Sequence, residues 1–227
     1  MALVGNLRLW TVQELVSSVL LCNHKSIQGE TVRKVCENFQ YLDMGIFVHI
    51  LSGRINQMKR IAKFEKVSLK QFVSDWIDTF GNRPNDIITE IYNNIELPKR
   101  ATKGSAGYDF KSPLPFTLQP NCTIKIPTGI RCKMEEGWVL KVYPRSGLGF
   151  KYRAMLNNTV GIVDEDYYYS DNEGHIFLKF TNDTNEAKIL KINAGDGIAQ
   201  GIFVEYGITY DDDADGIRNG GFGSTDE

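Results

Sequence analysis

The C-terminal run Arg218-Asn219-Gly220-Gly221-Phe222-Gly223-Ser224-Thr225 is poor material for a hydrophobic core and good material for binding an anion. Its glycines let backbone N–H groups come close to a charged group. Arg218, Ser224 and Thr225 add donors suited to phosphate oxygens. Phe222 offers a flat face to another ring. The run reads as a flexible flap that closes over a nucleotide. Four segments upstream carry further chemistry. Ser105-Ala106-Gly107-Tyr108-Asp109 ends in a carboxylate. Pro144-Arg145-Ser146-Gly147-Leu148-Gly149 sets a planar fork of donors beside a hydroxyl, which is phosphate-seeking chemistry. The segment from Asn158 to Tyr167 holds Asp164 and Asp166, and a carboxylate in a polar turn can take a proton from a water. Ala194-Gly195-Asp196-Gly197-Ile198-Ala199-Gln200 closes on an amide.

These five segments, in this order over about 140 residues, resemble the five motifs of the trimeric dUTPases (dUTP diphosphatases). The resemblance covers roughly Ile87 to the C-terminus. It implies a distorted β-barrel or jelly roll that hydrolyses dUTP to dUMP and pyrophosphate. Such an enzyme controls the dUTP level and supplies dUMP for thymidylate synthesis. It also implies a Mg²⁺ cofactor and a homotrimer in which each site takes motifs from three chains. Carried over residue by residue, Asp164 activates the water, with Asp166 as its rival. Arg145, Ser146, Gly147 and Gln200 hold the phosphates. Asp109 holds Mg²⁺ through water. Tyr167 packs against the deoxyribose and excludes a 2′-hydroxyl. Backbone groups of a hairpin from Gly161 to Tyr167 read uracil, and Asn158 orients a bound water. Phe222 stacks on the base, while Arg218, Gly223, Ser224 and Thr225 close on the phosphates.

Two local departures from the family pattern stand out. Arg218 lies two residues before Gly220, where the family places its arginine three before the paired glycines. Tyr168 to Glu173 lengthens the turn after Tyr167, and the matching glycine becomes Gly174. The longer turn is expected to project outward, with Tyr168, Tyr169 and Asp171 as a contact surface. Two other activities fit the same barrel: a dCTP deaminase-like enzyme, and a nucleotide-sensing regulatory protein acting through the region before it. The Asp164–Tyr167 segment and the glycine flap favour dUTP hydrolysis.

The elements that must position these residues change character along the chain. Up to about residue 84 the apolar spacing is helical. Thr11-Val12-Gln13-Glu14 has capping-box form, and so does Ser68-Leu69-Lys70-Gln71. The second opens an amphipathic stripe of Leu69, Phe72, Val73, Trp76, Ile77 and Phe80. Gly81 to Asp86 then reads as a linker. Beyond it, short runs such as Thr123–Ile126, Trp138–Tyr143, Ile176–Phe180 and Ile189–Ile192 alternate apolar with polar, a β signature. The expected class is therefore α+β, mainly β: a small N-terminal α-helical domain over 1–84, then a dUTPase-like barrel over 85–227. A chain starting at Asp86 is expected to fold and stay active.

The first 84 residues carry about four more basic than acidic side chains, and the remainder is acidic by about six. No catalytic constellation lies in them, and a protein partner or a role in oligomerisation is favoured over a helix-turn-helix. The net charge of −2 gives no argument for wholesale nucleic-acid binding. The cysteines Cys22, Cys36, Cys122 and Cys132 form no CxxC pair, which points to free, mostly buried thiols and away from structural zinc. No apolar run approaches the ~20 residues a bilayer span requires. Cytoplasmic residence, or host cytoplasm for a viral chain, is the default expectation.

Overall fold

A computed structural model describes residues 59–220. The helices expected before residue 59 and the flap residues Phe222, Gly223, Ser224 and Thr225 lie outside the described residues. The chain divides into two compact units, Met1–Lys59 and Arg60–Glu227, and every described element belongs to the second. That unit is mainly β, with twelve strands and three α-helices among the described residues.

The alternating runs become strands. Those that matter most for the site form a five-stranded sheet of β2 (Lys99–Arg100), β3 (Tyr108–Lys111), β12 (Gly197–Glu205), β7 (Trp138–Pro144) and β9 (Gly161–Val163), in that order. All its pairings are antiparallel. A second sheet runs β5 (Thr123–Pro127), β10 (Phe177–Asn182) and β8 (Ala154–Leu156). Inward side chains of both, including Phe110, Ile126, Leu140, Phe180 and Ile198, share one core. Burial alternates along β10, with Leu178, Phe180 and Asn182 inside and Lys179 out, as period-two patterning requires. Among the described residues no helix is long and apolar enough to cross a membrane.

The boundary expected at 84/85 falls inside this unit. Arg60 to Phe80 is part of the same core, to which it contributes Phe64, Val67, Phe72 and Trp76. Strand β1 (Ala62–Lys66) pairs antiparallel with β6 (Ile130–Met134), from Ala62 opposite Met134 to Lys66 opposite Ile130. Phe64 meets the rings of Phe110 and Phe203, each at 5.7 Å between centroids. Helix α1 (Leu69–Phe80) starts where its capping residue sets it, the Ser68 hydroxyl accepting from the Gln71 N–H at 3.1 Å. Phe72 and Trp76 are fully buried against the barrel. The expected linker is a tight corner. Gly81, at φ 78°, ends α1, and α2 (Asn85–Asn94) begins just past Pro84 and buries Ile88.

A polar tie fixes α1 to the barrel. His175 is wholly buried, and its Nε2 accepts from the Gly129 N–H at 2.7 Å. The ring proton therefore sits on Nδ1, which donates to Asp75 of α1 at 2.5 Å. The thiols separate as well. Burial pushes Cys132 up to about 12, whereas Cys122 is exposed and departs from the expectation of buried thiols.

Candidate active site

The sequence-derived residues fall into two groups. The first is built where β3, β12 and β7 run side by side. Gln200 sits opposite Asp109 on one flank and opposite Tyr143 on the other. Two residues beyond Tyr143, Arg145 caps helix α3 (Ser146–Tyr152), so Ser146 and Gly147 occupy the first turn of that helix. The Arg145 Nε lies 3.5 Å from Asp109 Oδ1. Arg145 is laid across Gly197, where an added Cβ would stand 2.9 Å from its Cδ and 3.0 Å from its Cζ. The glycine makes that position available to the guanidinium. The cavity beside these groups is about 500 Å³, and Arg145, Ser146, Gly147, Lys151, Lys191 and Asp196 line it. Lys151 and Lys191 were not anticipated. The sequence signal is weak, since Lys151 stands two residues after one motif segment and Lys191 three before another.

The second group is built around β9 and the 3₁₀ turn Glu165–Tyr169 that follows it. The expected hairpin is instead a strand running into a turn, because β9 pairs only with β7 among the described strands. Asp164 stands at the junction and Asp166 inside the turn, so strand alternation is not what aligns them. They converge on Arg218: its Nη2 lies 2.5 Å from Asp164 Oδ2 and its Nε 2.8 Å from Asp166 Oδ1. Arg218 thus contacts the two carboxylates that were read as rival bases. A cavity of about 410 Å³ opens here, lined by Asn158, Gly161, Asp164, Tyr167 and Arg218 over an apolar floor that includes Val142 and Leu156. Tyr167 is buried, and its hydroxyl donates to the His175 carbonyl at 2.8 Å and accepts from Asn172 Nδ2 at 2.8 Å. Burial raises its phenol above the ordinary value. The ring is therefore held as a fixed wall.

The groups are set apart by the sheet itself. Val163 sits opposite Leu140. Asp164, one step further, lies about 20 Å along β7 from Arg145 at roughly 3.3 Å per residue.

Among the described residues no cluster of three or more His, Cys, Asp or Glu could hold a metal ion by itself. Asp109 offers one carboxylate beside Arg145 and Gln200. Of that set the Asp109 carboxylate and the Gln200 amide oxygen are the ligand types Mg²⁺ takes, and the ion keeps several waters and draws most of its other ligands from phosphates.

A sequence profile of the dUTPase family matches residues 93–226. The deoxyuridine 5'-triphosphate nucleotidohydrolase of Lactococcus lactis is 38% identical over 144 residues, covering 62% of this chain and 95% of that protein. The enzyme of the same name from Hahella chejuensis is 41% identical over 141 residues, covering 59% and 88%. The crystal structure of the dUTPase from Streptococcus mutans is 29% identical with a TM-score of 0.47, covering 64% of this chain and 97% of that one.

Proposed function

The chain belongs to the dUTPase family and is a dUTP diphosphatase, and on that premise we propose how its two groups divide the reaction. Release of dUMP and pyrophosphate requires water to attack the α-phosphorus while the bond to the β-phosphate oxygen breaks. Asp164 accepts the water's proton as the new P–O bond forms. Asp166 is its neighbour on Arg218 and the second candidate for that role. Arg145 grips phosphate oxygens through its fork of donors, and the Ser146 hydroxyl and Gly147 N–H meet the oxygens around the scissile bond. Gln200 adds an amide contact. Asp109 would hold Mg²⁺ through water, and the ion would supply positive charge against the polyphosphate.

The second cavity takes the nucleoside. Tyr167, fixed at its hydroxyl, faces the deoxyribose and leaves no room for a 2′-hydroxyl. Backbone groups from Gly161 onward read uracil, with Asn158 holding a water. Cytosine presents the opposite donor pattern at N3 and C4 and leaves the groups that face those atoms unpaired. Phe222 stacks on the base, and Arg218 leaves the carboxylates for the phosphates as Gly223 and Ser224 close. The observation that carries this reading is the ~20 Å between Asp164 and Arg145 along β7. It supports a site in which one chain's nucleoside cavity meets another chain's phosphate cavity, as the homotrimer implied by the family resemblance would allow.

Pyrophosphate release from dUTP, dTTP, dCTP and UTP with Mg²⁺, with Asp164→Asn beside the wild type, tests the assignment. Rapid release from dUTP alone, falling roughly 10²–10⁴-fold in the variant while dUTP still binds, is expected. An Asp164→Asn enzyme with wild-type turnover would remove Asp164 from the role of base.

A further inference from the structure

The lengthened turn after Tyr167 touches the segment that precedes the family match at residue 93. The added turn from Tyr168 to Glu173 does not project outward along its length, although Tyr169 is 70% exposed. Its ends are held by the segment that precedes the family match. The Tyr168 hydroxyl donates to Glu65 Oε2 of β1 at 2.7 Å. It accepts from Arg131 Nη2 of β6 at 2.6 Å. The Arg131 guanidinium also lies 4.1 Å from the Tyr168 ring centroid, and its Nη2 reaches Glu65 at 3.3 Å. At the other end of the turn, Glu173 accepts from the Ser68 N–H at 2.7 Å and from the Ser68 hydroxyl at 2.6 Å, at the cap of α1. His175, just beyond, is bound to Asp75 of the same helix.

The chemistry of the second cavity lies immediately before the first of these anchors. The 3₁₀ turn is five residues long, has no side-chain cap at Asp164, and carries Asp166 and Tyr167. Such short 3₁₀ pieces have poor hydrogen-bond geometry and little stability of their own. The N–H of Tyr167 bonds the Asp164 carbonyl at 3.2 Å, and the Ser170 N–H bonds the Tyr167 carbonyl at 3.1 Å. Displacement of Tyr168 therefore passes directly to Asp164 and Tyr167. Gly174, at φ 68°, packs so close that an added Cβ would stand 2.7 Å from both the Tyr167 carbonyl oxygen and the Tyr168 Cα. The turn closes tightly on itself at this glycine.

We propose that Glu65 and Tyr168, joined through Arg131, are positioning residues for the active site, so that the segment 60–80 sets the placement of Asp164 and Tyr167. This rests on the roles given above to those two residues. The electrostatics agree with a committed contact. Hydrogen bonds from Lys63 and then Tyr168 hold the Glu65 carboxyl at about 2. The bond that Tyr168 donates to the Glu65 carboxylate in turn raises the Tyr168 phenol. For Glu173, burial works to raise the carboxyl, and the two Ser68 bonds more than offset it, leaving it lowered.

The test is a double-mutant cycle on the full chain with Tyr168→Phe and Glu65→Gln, read by dUTP turnover, by dUTP-over-UTP preference and by melting temperature. Tyr168→Phe keeps the ring under Arg131 and deletes the hydroxyl. Each single variant is expected to lose about tenfold in kcat, since a displacement near 1 Å costs up to 10²-fold. The preference for dUTP should fall as well, because the Tyr167 wall moves. The double variant should lose no more than the worse single, since both act through one contact. Unchanged kcat and preference in both singles would overturn the proposal, whether or not the melting temperature falls. So would losses that multiply. Asp164→Asn run alongside separates the two readings: if it turns over normally, the assignment of the base fails, and if it is inert while Tyr168→Phe is not impaired, only the positioning role fails.

Discussion

Removing residues 1–85 should abolish the folded enzyme, whereas removing residues 1–59 should leave it intact. The segment between carries Ile61, Phe64, Val67, Phe72 and Trp76, exposed by 9%, 9%, 1%, 0% and 1%. Burying a side chain of this kind stabilises by about 1.5–3 kcal/mol. Five of them amount to roughly 7–15 kcal/mol, against about 5–15 kcal/mol for a whole domain. The Asp75–His175 bond and the β1–β6 pairing go with them. A chain starting at Asp86 therefore keeps every motif and lacks the core to hold them. Three chains suffice, the full length and those starting at Arg60 and Asp86. Each is followed by circular dichroism on heating and by pyrophosphate release from dUTP. The Arg60 chain should melt cooperatively and turn over dUTP, and the Asp86 chain should show neither. Within the full chain, Phe72→Ala should cost about 3–5 kcal/mol. That corresponds to roughly 6–20 °C in melting temperature for a unit of this size. An Asp86 chain melting within a few degrees of the Arg60 chain would refute the reasoning, because the segment would then be a passenger on the core.

Other consequences concern single groups. Gly197→Ala places a Cβ against Arg145, whose side chain can move aside, so the melting temperature should hold while KM for dUTP rises about tenfold, in line with loss of one charge-assisted phosphate contact; an unchanged KM would show that this pose of Arg145 is irrelevant. The Glu65 carboxyl, at about 2 in the folded chain against an ordinary 4.5, stabilises fully above the higher value, and that contribution is lost as pH falls toward 2. The melting-temperature advantage of wild type over Glu65→Gln should therefore shrink between roughly pH 6 and pH 2.5, and a constant gap would contradict it. Alkylation of the native protein followed by peptide mass analysis should label Cys122 and spare Cys132, whose buried thiol is held protonated; comparable labelling of both would mean the core around Cys132 opens readily.

Much of this was legible in the sequence because it depends on local spacing. Alternation gave the strands around Trp138–Tyr143 and Ile176–Phe180, and Ser68 with Gln71 gave the start of a helix that the structure reproduces. The motif segments gave residues that the fold gathers beside two cavities. What escaped depends on partners distant along the chain. The Ala62–Lys66 strand is five residues with two lysines, too short and polar to be recognised before its pairing with Ile130–Met134 is known. Glu65 and Tyr168 are 103 residues apart, so nothing near Tyr168 announces that its turn has a support. For Arg218 the tail composition spoke for phosphate, while the pair Asp164 and Asp166 offered an equally good partner that only three-dimensional proximity reveals.

The spacing between Asp164 and Arg145 along one strand has a genetic consequence. If the working site is assembled across chains, an allele damaged at Asp164 and an allele damaged at Arg145 are each null alone, yet in one cell their products can build sites from the intact half of each. Intragenic complementation between those positions, and its absence between two different Asp164 alleles, follows from about six residues of β-strand. A chain damaged at both positions would instead spoil two of the three sites in a trimer it forms with two intact chains.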